Sequence, residues 1–212
     1  MAITLDSSND GTGGTASSFT YAHNCTGTNL GLFVVIRGGG GEGDRVTGVI
    51  YAGAAMTRLQ YYNPGGEGIY VYYKIAPATG SNNVVVTCSA SSFIQVGSIS
   101  YRGVNQTTLT EGLTTNTATA TSITTNITVS TRNSWTALFS KNASETILAG
   151  TGSTLRVNAG SEGARSADSN APLSTGSQSM QLTAAGSAAW YVIAWAIVPF
   201  PEPTSGSIAY FM

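Results

Sequence analysis

Apolar residues along this chain come in short bursts, many alternating with polar ones, and nearly every burst stops at Gly, Asn, Ser or Pro. Phe19 and Tyr21 alternate with Thr20 and Ala22, and Ile94 to Tyr101 alternates over its whole length. A period of two sends successive side chains to opposite faces of a strand. Ile3 and Leu5 open a first short strand. Leu32-Phe33-Val34-Val35-Ile36 is an unbroken apolar run of strand length, as expected of a strand covered on both faces. Val46 to Tyr51 and Ala55 to Leu59 read as two strands joined at Gly53. Asn63-Pro64-Gly65-Gly66 is a turn, and Ile69-Tyr70-Val71-Tyr72-Tyr73 is the densest β-branched and aromatic strand. Further strands are predicted at 84–88, 123–129, 135–139, 180–182 and 190–198. Residues 105–121, rich in Thr and Asn, read as a long connection with weak edge structure. Residues 140–176 are the least periodic, with a short piece at Thr154-Leu155-Arg156-Val157.

No stretch carries a capped 3.6-residue period. Many strands at about 8–12-residue spacing indicate a sandwich or barrel. The expected architecture is all-β: a single antiparallel jelly-roll-like β-sandwich over residues 1–198, with an extended Pro-rich tail over 199–212. Alternating prolines at Pro199, Pro201 and Pro203 cannot keep donating to a ladder, so the chain leaves the sheet there. The tail ends in an apolar cluster, Ile208, Tyr210, Phe211 and Met212, which reads as a partner-docking segment.

Composition narrows the function. Only 9% of the 212 residues are charged, against about 25% in an ordinary soluble domain. The formal net charge of −1 predicts no attraction to nucleic acid or anionic lipid. No segment reaches the ~18 apolar residues of a membrane span. Arg outnumbers Lys, and at this low density several arginines are expected in fixed contacts at subunit interfaces. The opening MAITLDSSNDGTGG has neither a basic nor an apolar signal region, so the expectation is synthesis in a cytoplasm. The composition nevertheless resembles that of extracellular or virion proteins. Release by lysis, as a virus particle is released, reconciles the two.

Candidate chemistry is thin. Cys25 and Cys88 read as small buried hydrophobes, with a disulfide as the alternative. With one histidine and no third thiol, no metal site is expected. His23 would have to serve any serine-type triad, yet no Gly-x-Ser-x-Gly elbow exists, so it reads as structural. The acids fall in predicted loops with no matched pair on a strand, which argues against a glycosidase. Gly38 to Asp44 lacks the Lys-Ser/Thr of a phosphate loop; with Glu42 and Asp44 it has Ca²⁺-ligand chemistry, as do Asp6, Asn9 and Asp10, but each reads better as a plain loop. No cofactor is expected. Tyr61, Tyr62, Tyr70 and Tyr72 gather in one region and form a candidate glycan platform. On the strand, Tyr70 and Tyr72 share one face and Val71 and Tyr73 the other, so one set must face outward or into a second layer.

The stretch from about Ser17 to Gln106 carries a recognisable order. Phe19-Thr20-Tyr21 is followed by Leu32 to Val35, by Val46 to Thr57, by a Tyr-rich strand ending Tyr73-Lys74-Ile75-Ala76-Pro77, then by Asn83 to Thr87 and Ile99 to Gln106. This half of the chain resembles a β-sandwich module of phage structural proteins and bacterial surface proteins. The resemblance implies a jelly-roll or lectin-like sandwich without catalytic motifs. The expected function is that of a non-enzymatic virion structural protein, a capsid decoration or fibre component, acting as a homo-oligomer through contacts with itself and other virion proteins. The alternative is a carbohydrate-binding module or adhesin domain on a cell or virion surface.

Overall fold

The computed structural model describes residues 1–39, 43–142, 146–159 and 164–202. Glu42 of the glycine loop and the tail residues Ile208, Tyr210, Phe211 and Met212 lie outside the described residues. The described chain is all-β, in two antiparallel sheets with no helix.

The first sheet is formed by β1 (Thr4–Cys25), β2 (Gly31–Gly39), β3 (Val46–Tyr51), β4 (Ala54–Ala55), β5 (Thr57–Tyr62), β6 (Ile69–Ile75) and β7 (Gly80–Arg102). Its order is β4-β3-β7-β2-β6-β5, with β1 paired along β7. The second is formed by β8 (Thr110–Val129), β9 (Trp135–Asn142), β10 (Ile147–Ala149), β11 (Thr154–Ala159), β12 (Ala164–Asp168) and β13 (Gly176–Ile197). Its order is β10-β13-β9-β12-β11, with β8 paired along β13.

Apart from the two-residue β4, these orders are the same: the chain is built from two structural repeats. The irregularities repeat as well. On the long ribbon β1/β7 the register steps from Ala16–Ser92 to Ser18–Thr87; on β8/β13 it steps from Ala120–Ala188 to Ser122–Thr183. A bulge interrupts β5/β6 between Arg58 and Gln60, and another interrupts β11/β12 between Leu155 and Val157. Bulges bend a strand and increase its twist. Each long ribbon therefore bends over its own sheet and encloses a core.

Three cores result. Phe19, Leu32, Val34, Ile36, Val49, Tyr51, Tyr70, Tyr72, Val84 and Val86 fill the first repeat. Ile123, Ile127, Leu138, Met180, Leu182, Trp190 and Val192 fill the second. Between the repeats, Phe33, Val35, Val71, Ile99 and Tyr101 meet Trp135, Phe139, Ile193, Trp195 and Ile197. Strands β2 and β6 are thus covered on both faces, and Leu32 to Ile36 is fully buried. The tyrosine strand resolves the same way: Tyr70 and Tyr72 face the first repeat's core, while Val71 and Tyr73 face the core between the repeats. Cys25 and Cys88 are free thiols buried in the first repeat.

Candidate functional site

The ionisable groups are largely committed to holding the fold. Near the start of β1, Asp6 accepts from the Thr26 backbone N–H at 3.0 Å and the Thr26 hydroxyl at 2.6 Å, just past the end of that strand. Near the start of β8, Glu111 accepts from the N–H groups of Ser130 and Thr131 at 2.9 and 2.8 Å and the Thr131 hydroxyl at 2.9 Å, just past the end of that strand. Each carboxylate clips a bent strand to itself. Burial alone would raise the Asp6 carboxyl, but hydrogen bonds from Thr26, Ser100 and Arg102 hold it below the usual range.

His23 lies in the same network. Ser100 donates to Asp6 Oδ2 at 2.7 Å, so Ser100 Oγ must accept from His23 Nε2–H, 3.0 Å away. That leaves His23 Nδ1 to accept from the Ser98 hydroxyl at 2.8 Å. The imidazole is 1% exposed, and burial pushes its pKa down to about 4. Both ring nitrogens have partners inside the protein.

Arg37, Arg58, Arg102 and Arg156 make ion pairs within the chain. Arg58 stacks over Tyr72 at 5.5 Å, donates to its hydroxyl at 2.9 Å and pairs with Asp44. Arg156 forks onto Asp168 at 2.7 and 2.9 Å, and Tyr101 donates to Asp168 Oδ2 at 2.9 Å. Glu67 takes both Arg37 at 3.1 Å and Lys141 at 2.7 Å, one from each sheet. Sequence reasoning placed Glu67 and Asp168 in loops as acids without a role. The surplus of Arg over Lys was the available signal that fixed, forked pairs would be found.

The described acids of the two loops with Ca²⁺-ligand chemistry are engaged within the chain. Asp44 is paired with Arg58. Asn9 accepts from Gly11 N–H at 2.6 Å, and Asp10 accepts from Asn158 N–H at 2.8 Å, so these groups fasten turns and strands. Among the described residues no three His, Cys, Asp or Glu side chains come together as a metal site.

The four platform tyrosines divide. Tyr61 and Tyr62 wall a shallow groove of about 430 Å³ with Asn63, Pro64 and Gly66. Tyr70 lies beneath: its ring stacks on Tyr61 at 4.6 Å, and its hydroxyl accepts from Arg45 N–H at 2.9 Å. Burial pushes its phenol up to about 12. Tyr70 and Tyr72 are 1% and 3% exposed, so neither offers a ring face to a ligand. They support the groove from inside.

A larger cleft, about 630 Å³, opens at one end of the molecule between the repeats. Trp135, Asn133, Pro172, Phe200 and Pro201 are among its walls. No pattern in the sequence marks it, because its walls come from five separated segments. Comparison with known proteins finds no matching family, no matching characterised protein and no matching solved structure.

Proposed function

We propose that this chain is a non-enzymatic structural protein of a phage-like particle, a jelly-roll-like capsid decoration or fibre component that works through contacts with copies of itself and with other virion proteins. One observation supports this reading above the rest. Among the described residues, groups that could do acid–base work are engaged inside the fold: Asp6, Glu67, Glu111 and Asp168 in clips and ion pairs, His23 between two serines. What faces outward along β1 and β8 is mostly Ser, Thr, Asn and Gly, with Asp10 the one exposed acid and Leu113 an exposed apolar side chain. Association through such a surface depends little on ionic strength. The test is mass spectrometry and immunogold labelling of purified particles of the virus encoding the chain, with light scattering of the isolated protein. Presence on the particle with self-association is expected; absence from purified particles overturns the reading.

The groove at Tyr61 and Tyr62 favours one second reading, a neutral glycan bound on a virion or cell surface. Adjacent half-buried rings beside the Asn63 amide match how sugars are held, by apolar faces with a few polar groups. A glycan array tests it: binding lost in Tyr61→Ala and Tyr62→Ala and kept in Tyr73→Phe supports it, and no binding above background removes it.

A further inference from the structure

The two repeats treat one corresponding place differently. In the first, the chain after β7 turns back over the start of β2. Val104 N–H donates to Asn29 C=O at 3.0 Å, and Gln106 Nε2 donates to Leu30 C=O at 3.2 Å. Val104 and Leu109 are buried there, with methyl carbons 3.0 and 2.7 Å from where a Cβ on Gly31 would stand. Glycine opens the slot, and this strap fills it.

The corresponding place in the second repeat is Trp135. Asn29 and Asn133 both adopt the left-handed conformation, φ 51° and 66°, each two residues before the matching position. Gly31 then pairs with Tyr101 on β7, as Trp135 pairs with Ile197 on β13. Here the described chain after β13, through Glu202, does not turn back. Pro199 bridges to Val104, and Phe200 N–H donates to Gly103 C=O at 2.7 Å, which carries the strand across to the first repeat. Trp135 fills its own position, 5% exposed and packed against Tyr101, and beside it lies the 630 Å³ cleft, with Phe200, Pro201 and Glu202 along one wall.

We propose that this cleft is the seat of the chain's own residues 203–212, with the apolar cluster Ile208, Tyr210, Phe211 and Met212 taking the part that Val104 and Leu109 take in the first repeat. Three arguments carry it. The first repeat fills the slot at Gly31 with apolar side chains from the segment after its last strand. Glu202 is already on the cleft wall, so residue 203 starts at its rim. Between that rim and Ile208 the sequence Thr204-Ser205-Gly206-Ser207 has turn-forming composition, and six residues span up to about 20 Å, enough to reverse direction. A tether this short gives a local concentration on the order of millimolar, so modest apolar contact suffices. This inference goes beyond the particle reading and does not depend on it.

The test compares the full chain with a chain ending at Glu202 and with a full chain carrying Tyr210→Asp and Phe211→Asp. Of the three tryptophans, all at or below 5% exposure, only Trp135 lines the cleft, so changes in indole emission report chiefly on it. Both altered chains are expected to keep the far-ultraviolet spectrum, to emit further to the red and to melt about 5 °C lower. A synthetic peptide of residues 203–212 is expected to reverse the red shift of the shortened chain, and a benzophenone at its Phe211 position to crosslink to cleft residues. Identical emission and melting in all three chains, with no saturable peptide effect, overturns the proposal. So does light scattering in which the full chain self-associates and the shortened one does not, since the segment would then occupy a neighbour's cleft.

Discussion

Arg37 and Lys141 hold corresponding positions in the two repeats, and both bind one carboxylate, that of Glu67. Arg37 faces Ile69 on β6 and Gln95 on β7; Lys141 faces Ala164 on β12 and Tyr191 on β13. Lys141 also sits 4.8 Å over the Tyr191 ring, and Tyr191 donates to Gly65 C=O at 2.8 Å. The loop carrying Glu67 is thereby pinned across the seam. Glu67→Gln leaves two cations, at 6% and 10% side-chain exposure, short of their anion. Because Glu67 is itself 28% exposed, the full cost of a buried unpaired charge does not apply, and a loss of about 1–3 kcal/mol is expected in urea unfolding. Glu67→Gln combined with Lys141→Met should cost less than the two single changes summed; strict additivity would show that no coupling crosses the seam.

At Gly97 the two repeats pack closely. A Cβ there would stand 2.4 Å from Val157 Cγ1, a distance at which something must move. Gly97→Ala is therefore expected to cost about 1–3 kcal/mol by overpacking. Val157→Ala should recover part of that loss in the double variant while destabilising the parent on its own. A Gly97→Ala protein that melts with the parent would mean the sheets can part there freely.

The short strands were legible where a face is buried on a regular pleat. Leu32 to Ile36, Ile69 to Tyr73 and Trp190 to Val198 read correctly because both faces are covered. That Leu5 and Phe19-Tyr21 belong to one strand was not legible. Bulges after Leu5 and Asn9 break the alternation between them, and that stretch pairs along one edge only. Residues 110–121 read as a connection because Thr and Asn dominate, yet they form half of β8: threonine is β-branched and suits a half-exposed strand. Within 140–176, β12 hides because its buried side chains include Arg165, Ser166 and Asp168. The repeat itself is invisible in sequence, since corresponding core positions exchange size. Phe33 corresponds to Ala137, Val35 to Phe139 and Ile99 to Trp195. Packing conserves the summed volume across the seam rather than the residue at each place. Of the candidate site, the adjacency of Tyr61 and Tyr62 was legible, whereas the burial of Tyr70 and Tyr72 depends on a second layer contributed by the same chain.

Cys25 and Cys88 are expected to behave as core residues. Burial pushes both thiols up, which lowers the thiolate fraction that reacts. In the folded protein at pH 8 a thiol reagent should label neither, and both should react in 6 M guanidinium. Melting should be the same with and without reductant. A reductant-dependent shift would reveal a disulfide in solution.

Acid should weaken the fold before its carboxylates titrate in bulk. His23 is held neutral with a pKa near 4, whereas in an unfolded chain it takes its proton near 6.5. Between those values the unfolded state binds more protons than the folded one, so stability rises with pH across the window and is lost as pH falls from about 6.5 to about 4. The full difference corresponds to about 3 kcal/mol. Asp6 acts in the same direction at lower pH: its carboxyl is held below the usual range, so its contribution is present above that range and is lost as pH falls through it. His23→Gln removes the titrating ring while keeping hydrogen-bonding groups between Ser98 and Ser100. Urea unfolding at half-unit steps from pH 7 to pH 4 should show a steep loss for the parent and a flatter line for the variant, which starts lower at pH 7. Equal slopes in the two proteins would mean that the imidazole is not sealed from solvent, and the bent ribbon over it would have to open far more readily than its hydrogen bonds to Thr26, Ser98 and Ser100 imply.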